Sequence, residues 1–367
     1  MNGLRRALPV ALLIVFGIAF GLALLEAGTR VLAVQAERQQ GRLDRDVSRL
    51  KPPQPGSVVT LGQIIRRSDH ARVVYELRPR LDVIFAGAHL STSDAGHRGA
   101  DVVGQKPIST FRIVGIGDSY MFGQGVADDE TYLARLSGPT VDLLSGRQVE
   151  TVNLAVPGYN TVMEVETLRA RAEALRPDLV LIEIVGNDLD LPNFLWTEVD
   201  PWTLRRSFLL EFVGRRLGGL TSPSSPVGGL SEAPQESESA ARTFARESGD
   251  VPPQYASMVG LPAFEGAIRE VAEWGRTRGI PVRALTHGVW FEDEMLRTLA
   301  ANDIPVLLLR SALRQRARKL GAPDYARSAL ALSATDLHPS ALGHQAIADE
   351  LAAWLKTVLP GPRTPPE

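Results

Sequence analysis

A chain of 367 residues is long enough for one large α/β domain with additional segments. Hydrophobic residues make up 44% and charged residues 22%, the balance of a folded globular protein, and the formal net charge of −2 gives no basic field for binding nucleic acid. Cysteine is absent, which excludes disulfide bonds, a thiolate nucleophile, Cys-ligated metal centres and a lipid-modified N-terminal cysteine.

The first segment predicts a helix that crosses a membrane. Residues 7–25 follow Arg5 and Arg6, carry no charge and would span roughly 28 Å as a helix, about the thickness of a bilayer core. The arginines favour a cytoplasmic N-terminus, so we expect the rest of the chain outside the cytoplasm. An uncleaved signal-anchor is favoured because signal peptides have shorter apolar runs. A signal peptide cleaved near Ala36 and a buried helix of a soluble protein remain alternatives.

The remaining chain is expected to form one domain on a stalk. Residues 1–35 are the predicted signal-anchor, and 36–56 are polar, end in a proline cluster and predict a linker. The domain is predicted over 57–360 and a tail over 361–367. Its lead-in, 57–110, contains short β-like runs such as Arg72–Tyr75 and Val83–Phe85.

A strand–helix rhythm follows the lead-in. Short runs rich in Val, Ile and Leu suit strands that are buried on both faces of a parallel sheet. They cover Phe111–Gly117, Glu150–Ala155, Asp178–Val185, Pro281–Thr286 and Ile304–Leu309. Helices are predicted over Glu130–Leu136, Thr161–Leu175, Ala263–Arg278, Phe291–Ala300 and Ser340–Leu359, the last with Ser340 as N-cap. This alternation predicts a three-layer α/β/α sandwich.

Residues 190–260 interrupt the rhythm and predict an insertion, because they are too long for an ordinary connection. Their middle, 218–254, is dense in Gly, Ser, Pro and Glu and predicts a flexible loop. Residues Trp202–Leu217 predict an amphipathic helix. A cap helix packed on the core and a membrane-facing or substrate-gripping lid are both consistent with it.

Candidate reactive groups follow the first three predicted strands of the sheet. Gly117 allows a sharp turn after strand one, which presents Ser119 at the carboxyl edge of the sheet, where reactive groups gather in such folds. Gly158 after strand two leaves a backbone N–H unshielded, and Asn187 after strand three offers an amide. Each feature alone is also ordinary turn chemistry.

A histidine follows the last strand. His338 lies in the loop before the final helix, and imidazole is suited to accept a proton from serine near neutral pH. A carboxylate such as Asp336 would orient it. His344 is predicted to be structural. No third ligand accompanies the two histidines at helical spacing, and the glycines do not form a dinucleotide or P-loop motif, so neither a metal nor a cofactor is expected.

Together these blocks resemble the SGNH (GDSL-type) hydrolase family, in its order, over about residues 105–358. The blocks are GDSY at 117–120, the Gly158 turn, GND at 186–188 and DLHP at 336–339. The runs 91–99 and 122–126 are similar to a bacterial envelope branch with an N-terminal membrane helix. The resemblance implies a flavodoxin-like sheet of order 2-1-3-4-5. It also implies Ser119 as nucleophile, His338 as base, and an oxyanion hole formed by Ser119, Gly158 and Asn187.

One departure concerns the carboxylate. The family usually places its triad Asp three residues before the His, where this chain has Thr335, whereas Asp336 lies two residues before. Asp336 is the predicted triad acid; a backbone carbonyl is the other group that could orient His338.

The resemblance implies a serine esterase that acts on acylated carbohydrate or lipid esters of the cell envelope. It would be anchored in the inner membrane with its catalytic domain in the periplasm or extracytoplasmic space. Alternatives are an O-acetyltransferase in polysaccharide modification, with polysaccharide-assembly proteins as partners, and a non-catalytic envelope scaffold.

Overall fold

The computed structural model contains both helices and strands. It describes residues 2–45, 53–102, 106–137, 148–197, 201–204, 207–216, 229–232, 245–287 and 293–359. The chain divides into two compact units. The helical unit comprises residues 1–50 and 195–231, and the sheet unit comprises 51–194 and 232–367.

The helices and strands of the described residues are numbered in chain order. The helices are α1 (Asn2–Arg45), α2 (Leu61–Ile64), α3 (Ser119–Phe122), α4 (Tyr132–Leu136), α5 (Thr161–Leu175), α6 (Phe208–Arg216), α7 (Gly260–Arg278), α8 (Asp293–Ala301), α9 (Arg310–Lys319) and α10 (Ala341–Val358). The strands are β1 (Val58–Val59), β2 (Ile65–Arg67), β3 (Tyr75–Leu77), β4 (Asp82–Phe85), β5 (Ala88–Ser91), β6 (Thr110–Ile116), β7 (Gln148–Asn153), β8 (Leu179–Glu183), β9 (Phe194–Thr197), β10 (Gly229–Glu232), β11 (Val282–Thr286) and β12 (Val306–Leu308).

The sheet unit is built on a five-stranded parallel sheet of order β12-β11-β8-β6-β7. Numbered among themselves, its strands have the order 2-1-3-4-5, so the predicted topology is confirmed. All residues of β6 and β8 are buried, which explains why their sequences are apolar without alternation. Strand order reverses beside β6, which places the carboxyl end of β6 at the switch point where such folds bind ligands.

Two groups of helices flank this sheet. Helix α5 packs on α7 and α7 on α8, while α10 packs on α4 and α9. Helix α5 has the predicted bounds, and α10 begins after Ser340, whose side chain accepts a hydrogen bond from the Gly343 N–H at 3.2 Å. Helix α9 was not predicted, because Leu313 and Ala317 are its only buried residues and give too thin an apolar stripe.

The lead-in of the sheet unit forms two small sheets, β1-β4-β5 and β2-β3. The predicted run Val83–Phe85 lies in β4. The prediction of β structure over Arg72–Tyr75 is wrong except at Tyr75, because the Val73 N–H donates to the His70 carbonyl in a turn and Val74 adopts a left-handed φ of 59°.

In the helical unit, α1 contains Pro9–Ala36, which is long and apolar enough to cross a membrane. The helix continues to Arg45, so the first part of the predicted linker 36–56 is helical. The sequence of residues 36–45 consists mainly of good helix formers, and no proline occurs between Pro9 and Pro52. Residues 46–52 of that linker lie outside the described residues.

The insertion differs in detail from its prediction. Helix α6 begins at Phe208 instead of Trp202, because Trp202 lies in a turn and the helix is capped at Ser207–Leu209. Within the predicted flexible loop 218–254, residues 229–232 form β10, which pairs with β9. The remainder up to residue 244 and the predicted tail 361–367 lie outside the described residues.

Candidate active site

The turn after β6 presents Ser119 at the carboxyl edge of the sheet. Strand β6 ends at Ile116, and α3 begins at Ser119. A Cβ on Gly117 would lie 2.8 Å from Met121 Cβ and 3.1 Å from Glu183 Cβ, so only glycine fits there without a shift. Asp118 caps α3, since its Oδ1 accepts the Tyr120 N–H at 3.0 Å. Gly117 and Asp118 therefore determine the backbone conformation that presents the Ser119 hydroxyl.

Ser119, His338 and Asp336 form a chain of hydrogen bonds. Ser119 Oγ lies 2.7 Å from His338 Nε2, and His338 Nδ1 lies 2.6 Å from Asp336 Oδ1. The same Oδ1 accepts the His338 backbone N–H at 3.1 Å. Thr335, at the position where the family usually has Asp, contacts Ser333 instead. The two-residue spacing thus allows Asp336 to contact the imidazole.

The loop that carries His338 is held by its own backbone. The Leu332 N–H donates to the His338 carbonyl at 2.9 Å, and the Ser333 N–H donates to the Asp336 carbonyl at 3.1 Å. The hydrogen bond from His338 lowers the pKa of Asp336, against a smaller rise from desolvation. The pair therefore favours an ionised carboxylate next to an imidazole that can accept a proton from Ser119.

The predicted oxyanion donors follow the strands next to β6. Asn187 donates through Nδ2 to Asp118 Oδ2 at 3.1 Å, and Ser119 Oγ lies 3.3 Å from the same oxygen. The Gly158 turn is tied to the Ser119 turn because the Val156 N–H donates to the Gly117 carbonyl at 3.2 Å.

Gly158 itself cannot be replaced without strain. Its φ is +77°, and an added Cβ would lie 2.2 Å from Asn193 Cγ. The Asn193 N–H also donates to the Gly158 carbonyl at 3.1 Å. Tyr75 of the lead-in supports the same turn from its other side, donating through its hydroxyl to the Pro157 carbonyl at 3.0 Å.

A second histidine–carboxylate pair lies beneath the first. His287 Nε2 is 2.5 Å from Glu183 Oε1, and both side chains are buried. The Tyr120 ring packs between the two histidines, with its centroid 4.9 Å from that of His287 and 4.7 Å from that of His338. Burial raises the pKa of Glu183, and His287 partly opposes the rise. Sequence reasoning missed this pair, since nothing local connects Glu183 at the end of β8 to His287 after β11.

Two further carboxyls are buried behind Asn187. Asp188 accepts the Val185 N–H at 2.8 Å through Oδ2, whereas neither oxygen of Glu164 has a hydrogen-bond partner among the residues that the structure describes. Burial raises the pKa of Glu164, and the nearby Asp188 adds to the rise. Burial raises the pKa of Asp188 too, with Asp118 adding to it. Such groups hold their protons where an exposed carboxyl would release them.

Arg98 of the lead-in fixes the segment that follows α3. Its guanidinium is buried and donates to the carbonyls of Phe122, Gly123 and Val126 at 2.5, 2.7 and 2.6 Å. Its Nε donates to Asp128 at 2.9 Å. The run 91–99 carries part of the family resemblance, but its sequence does not reveal that Arg98 satisfies three backbone carbonyls next to the Ser119 helix.

No group of three or more His, Asp or Glu side chains within the described ranges is arranged to hold a metal ion. His344, predicted to be structural, is fully buried in α10, and its Nδ1 accepts the Tyr132 N–H at 3.2 Å.

Solved structures with a similar fold come from several sources. An α/β hydrolase from the metagenome of Lake Arreo, Spain, is 16% identical with a TM-score of 0.39, and the alignment covers 68% of this chain and 97% of that one. A lipase/acylhydrolase from Enterococcus faecalis is 15% identical with a TM-score of 0.37, covering 69% and 100%. An acetylxylan esterase from Geobacillus stearothermophilus is 16% identical with a TM-score of 0.37, covering 67% and 94%. Likenesses this distant support no conclusion about activity or substrate.

Comparison with family sequences identifies the family of the chain. No curated protein sequence matches the chain. The model of the GDSL-like lipase/acylhydrolase family, however, matches residues 116–346, well over half of the chain, and this range includes Ser119, Gly158, Asn187 and His338. The chain therefore belongs to the GDSL-like lipase/acylhydrolase family, the SGNH serine hydrolases.

Proposed function

We propose that the protein is a membrane-anchored serine esterase that removes ester-linked acyl groups from an envelope or extracellular substrate through an acyl-enzyme. Ser119 is the nucleophile, His338 its base and Asp336 the acid that orients His338. The observation that carries the proposal is the hydrogen-bond chain from Ser119 Oγ to His338 Nε2 at 2.7 Å and from His338 Nδ1 to Asp336 at 2.6 Å.

In the first half-reaction Ser119 Oγ attacks the ester carbonyl carbon, and its proton passes to His338 Nε2. Asp336 holds the tautomer of His338 that can accept this proton and stabilises the imidazolium that forms. The carbonyl oxygen becomes an oxyanion, which receives hydrogen bonds from the N–H groups of Ser119 and Gly158 and from the Asn187 amide. Each such donor contributes about 10²–10³-fold to the rate. The intermediate collapses, the C–O bond to the alcohol breaks, and His338 returns the proton to the departing oxygen.

In the second half-reaction His338 takes a proton from water, which attacks the acyl-enzyme. The bond to Ser119 breaks, Ser119 regains a proton from His338, and the carboxylic acid leaves. A sugar hydroxyl in place of water would complete an acyl transfer with the same residues, so hydrolase and O-acetyltransferase differ only in the acceptor.

The anchor supports an envelope location. Residues 9–36 of α1 are long and apolar enough to span a bilayer, and Arg5 and Arg6 precede them. The proposed substrates are O-acyl groups of envelope polysaccharide or ester-linked lipids, reached from the extracytoplasmic side.

The test is covalent labelling together with turnover. The full chain in detergent is treated with a fluorophosphonate probe, and hydrolysis of p-nitrophenyl acetate is measured in parallel. Wild type is expected to be labelled and active, whereas Ser119→Ala is expected to lose labelling and about 10⁶-fold in kcat. Ser137→Ala, at an exposed serine after α4, is the matched control and should behave as wild type.

Two outcomes would decide against parts of the proposal. Absence of labelling that depends on Ser119 would favour the non-catalytic scaffold. If water and an oligosaccharide are both available as acceptors and acetylated oligosaccharide forms faster than free acetate, the enzyme is a transferase.

A further inference from the structure

Helix α1 carries two charged residues directly after its charge-free run. Glu26 and Arg30 are one helical turn apart and form an ion pair, with Arg30 Nε 2.9 Å from Glu26 Oε1. Both side chains also contact the part of the insertion that belongs to the same unit. Such contacts are not needed by a helix that serves only to cross a bilayer.

Glu26 caps helix α6. Its carboxylate accepts hydrogen bonds from Ser207 Oγ at 2.7 Å and from the backbone N–H groups of Phe208 and Leu209 at 3.0 and 2.9 Å. The first N–H groups of a helix have no partner within the helix, and a negative charge there is favourable. Ser207 caps α6 locally by accepting the Leu210 N–H at 3.2 Å, and Glu26 adds from α1 a carboxylate that accepts the two preceding N–H groups.

Arg30 holds the turn that precedes α6. Its guanidinium donates to the carbonyls of Pro201 and Thr203 at 2.5 and 2.8 Å, and it lies 5.0 Å from the centroid of the Phe208 ring. The Phe208 side chain is buried. Residues 201–203 and the start of α6 are thus fixed to one level of α1 by two charged side chains.

That level is where a bilayer core would end. The charge-free residues 7–25 span roughly 28 Å as a helix, which is about the thickness of the hydrocarbon. Glu26 and Arg30 follow immediately, at the depth of the lipid headgroups.

The segment held at this level exposes large apolar side chains. Trp202 is 87% exposed, Leu204 95% and Leu210 69%, while Phe212 and Val213 are 44% and 42% exposed. A short amphipathic helix next to a tryptophan is typical of elements that lie in a membrane interface. Because the exposed side chains belong to the same unit as the membrane helix, in a segment whose turn and helix start are held by Glu26 and Arg30, the bilayer is the surface available to them.

We propose that residues 201–204 and 207–216 form an interfacial membrane-binding element, clamped to α1 by Glu26 and Arg30. Its exposed apolar side chains enter the boundary between lipid headgroups and acyl chains. The inference rests on the proposed membrane anchoring of α1. It implies that α1 is retained in the mature protein. Cleavage by a signal peptidase near Ala36 would remove Glu26 and Arg30, which hold the element.

The absence of cysteine permits a direct test. Leu210→Cys is labelled with an environment-sensitive fluorophore, and the full chain is reconstituted into phosphatidylcholine vesicles that carry bromine at shallow or deep acyl positions. The label should lie about 5–10 Å into the headgroup–acyl boundary, so its emission should shift to the blue and be quenched more by shallow than by deep bromine. Leu320→Cys, an exposed leucine of the sheet unit, is the matched control and should not be quenched.

A second variant tests the clamp. Glu26→Ala in the Leu210→Cys background removes the carboxylate that α1 contributes to the cap of α6. Quenching of the Leu210 label should fall towards the value of the Leu320 label. Extraction with alkaline carbonate should still leave the chain in the membrane. Unchanged quenching would overturn the clamp.

The remaining outcomes separate this inference from the anchor on which it depends. Release of the chain by carbonate would overturn both. A chain that is retained but has an unquenched Leu210 label would overturn the interfacial element alone. An unquenched label together with a disulfide-linked dimer of Leu210→Cys on oxidation would assign the surface to a second copy of the chain.

Discussion

Two histidine–carboxylate pairs contact the Tyr120 ring through their histidines, and they differ mainly in their access to water. In the outer pair, His338 and Asp336 are 2.6 Å apart with side chains 19% and 43% exposed. In the inner pair, His287 and Glu183 are 2.5 Å apart, with side chains 2% and 0% exposed. The hydrogen bond has similar length in both, so its length does not distinguish their roles.

Exposure does distinguish them. The hydrogen bond from His338 lowers the pKa of Asp336, whereas burial raises the pKa of Glu183 despite its histidine partner. The outer pair therefore has a stable carboxylate beside a group that can exchange protons with substrate. The inner pair has no such access and contributes to the packing beneath the serine. The comparison shows that a histidine–carboxylate motif acquires its role from its surroundings.

The largest effect on activity is expected for the histidine of the outer pair, His338. His338→Ala removes the proposed base, so kcat for p-nitrophenyl acetate should fall by about 10⁶-fold, because a nucleophile and its base act as a unit. The melting temperature should change little, since the side chain is partly exposed. His89→Ala is the control, because His89 forms a surface pair with Asp82 at 2.8 Å. Comparable losses in both variants would contradict the assignment.

The outer carboxylate should have the next largest effect. Asp336→Asn keeps the size of the side chain but no longer fixes the tautomer of His338, so kcat should fall by about 10⁴-fold. Steady-state kinetics beside Thr335→Ala measure the effect, and the Thr335 variant should retain activity. A fall of less than tenfold for Asp336→Asn would instead assign the orienting role to another group.

The inner pair should affect stability more than the outer pair. Glu183→Ala leaves His287 buried without its partner, so the free energy of unfolding should fall by about 3–5 kcal/mol. Asp336→Ala should cost less than about 1 kcal/mol, because an exposed pair contributes little. Urea denaturation of both variants makes the comparison. Equal losses would show that the two pairs do not differ in the way that their exposure indicates.

Glu164 provides the smallest and most specific effect, since it is a buried carboxyl without an imidazole partner. Its pKa is raised above the ordinary value of 4.5, so its contribution to stability is fully present below about pH 4.5 and is lost as the pH rises through its folded-state pKa. Glu164→Gln cannot ionise, so the variant should gain stability relative to wild type as the pH rises, by about 1.4 kcal/mol for each pKa unit of the shift.

The measurement is the urea midpoint from about pH 4 to pH 8, with Glu173→Gln at an exposed position of the same helix as control. The control should follow the wild-type slope. If Glu164→Gln follows it as well, Glu164 does not hold its proton in the folded protein.

The central sheet was predictable because its chemistry is local. Runs of Val, Ile and Leu indicated β6, β8 and β11, and the N-cap at Ser340 set the start of α10. The family blocks then supplied the strand order, which apolar runs alone do not determine. Ser119 was predicted at the carboxyl edge because it follows the buried strand β6, where reactive groups gather in parallel sheets. His338 depended on the family blocks, because β12 is partly exposed and α9 lies between that strand and the histidine.

The features that were missed depend on contacts across long separations. Glu183 and His287 are distant in sequence, and each alone resembles an ordinary residue at the end of a strand. Ser207 and Glu26 of another helix together cap the start of α6, whereas the amphipathic pattern from Trp202 onward placed it too early. Helix α9 was missed because its polar sequence buries little.

Arg98 also has a practical consequence for where the domain can be cut. The family match begins at residue 116, and a fragment expressed from there would lack the guanidinium that satisfies the carbonyls of Phe122, Gly123 and Val126. The Gly123 carbonyl also accepts the Val126 N–H, and the Phe122 carbonyl the Asn153 amide, but losing Arg98 would still remove three donors from the segment at the end of the Ser119 helix. The minimal folding unit therefore begins upstream of the segment that the family model matches. A fragment cut at residue 116 would keep Ser119 but lose the contacts that support the helix on which it lies.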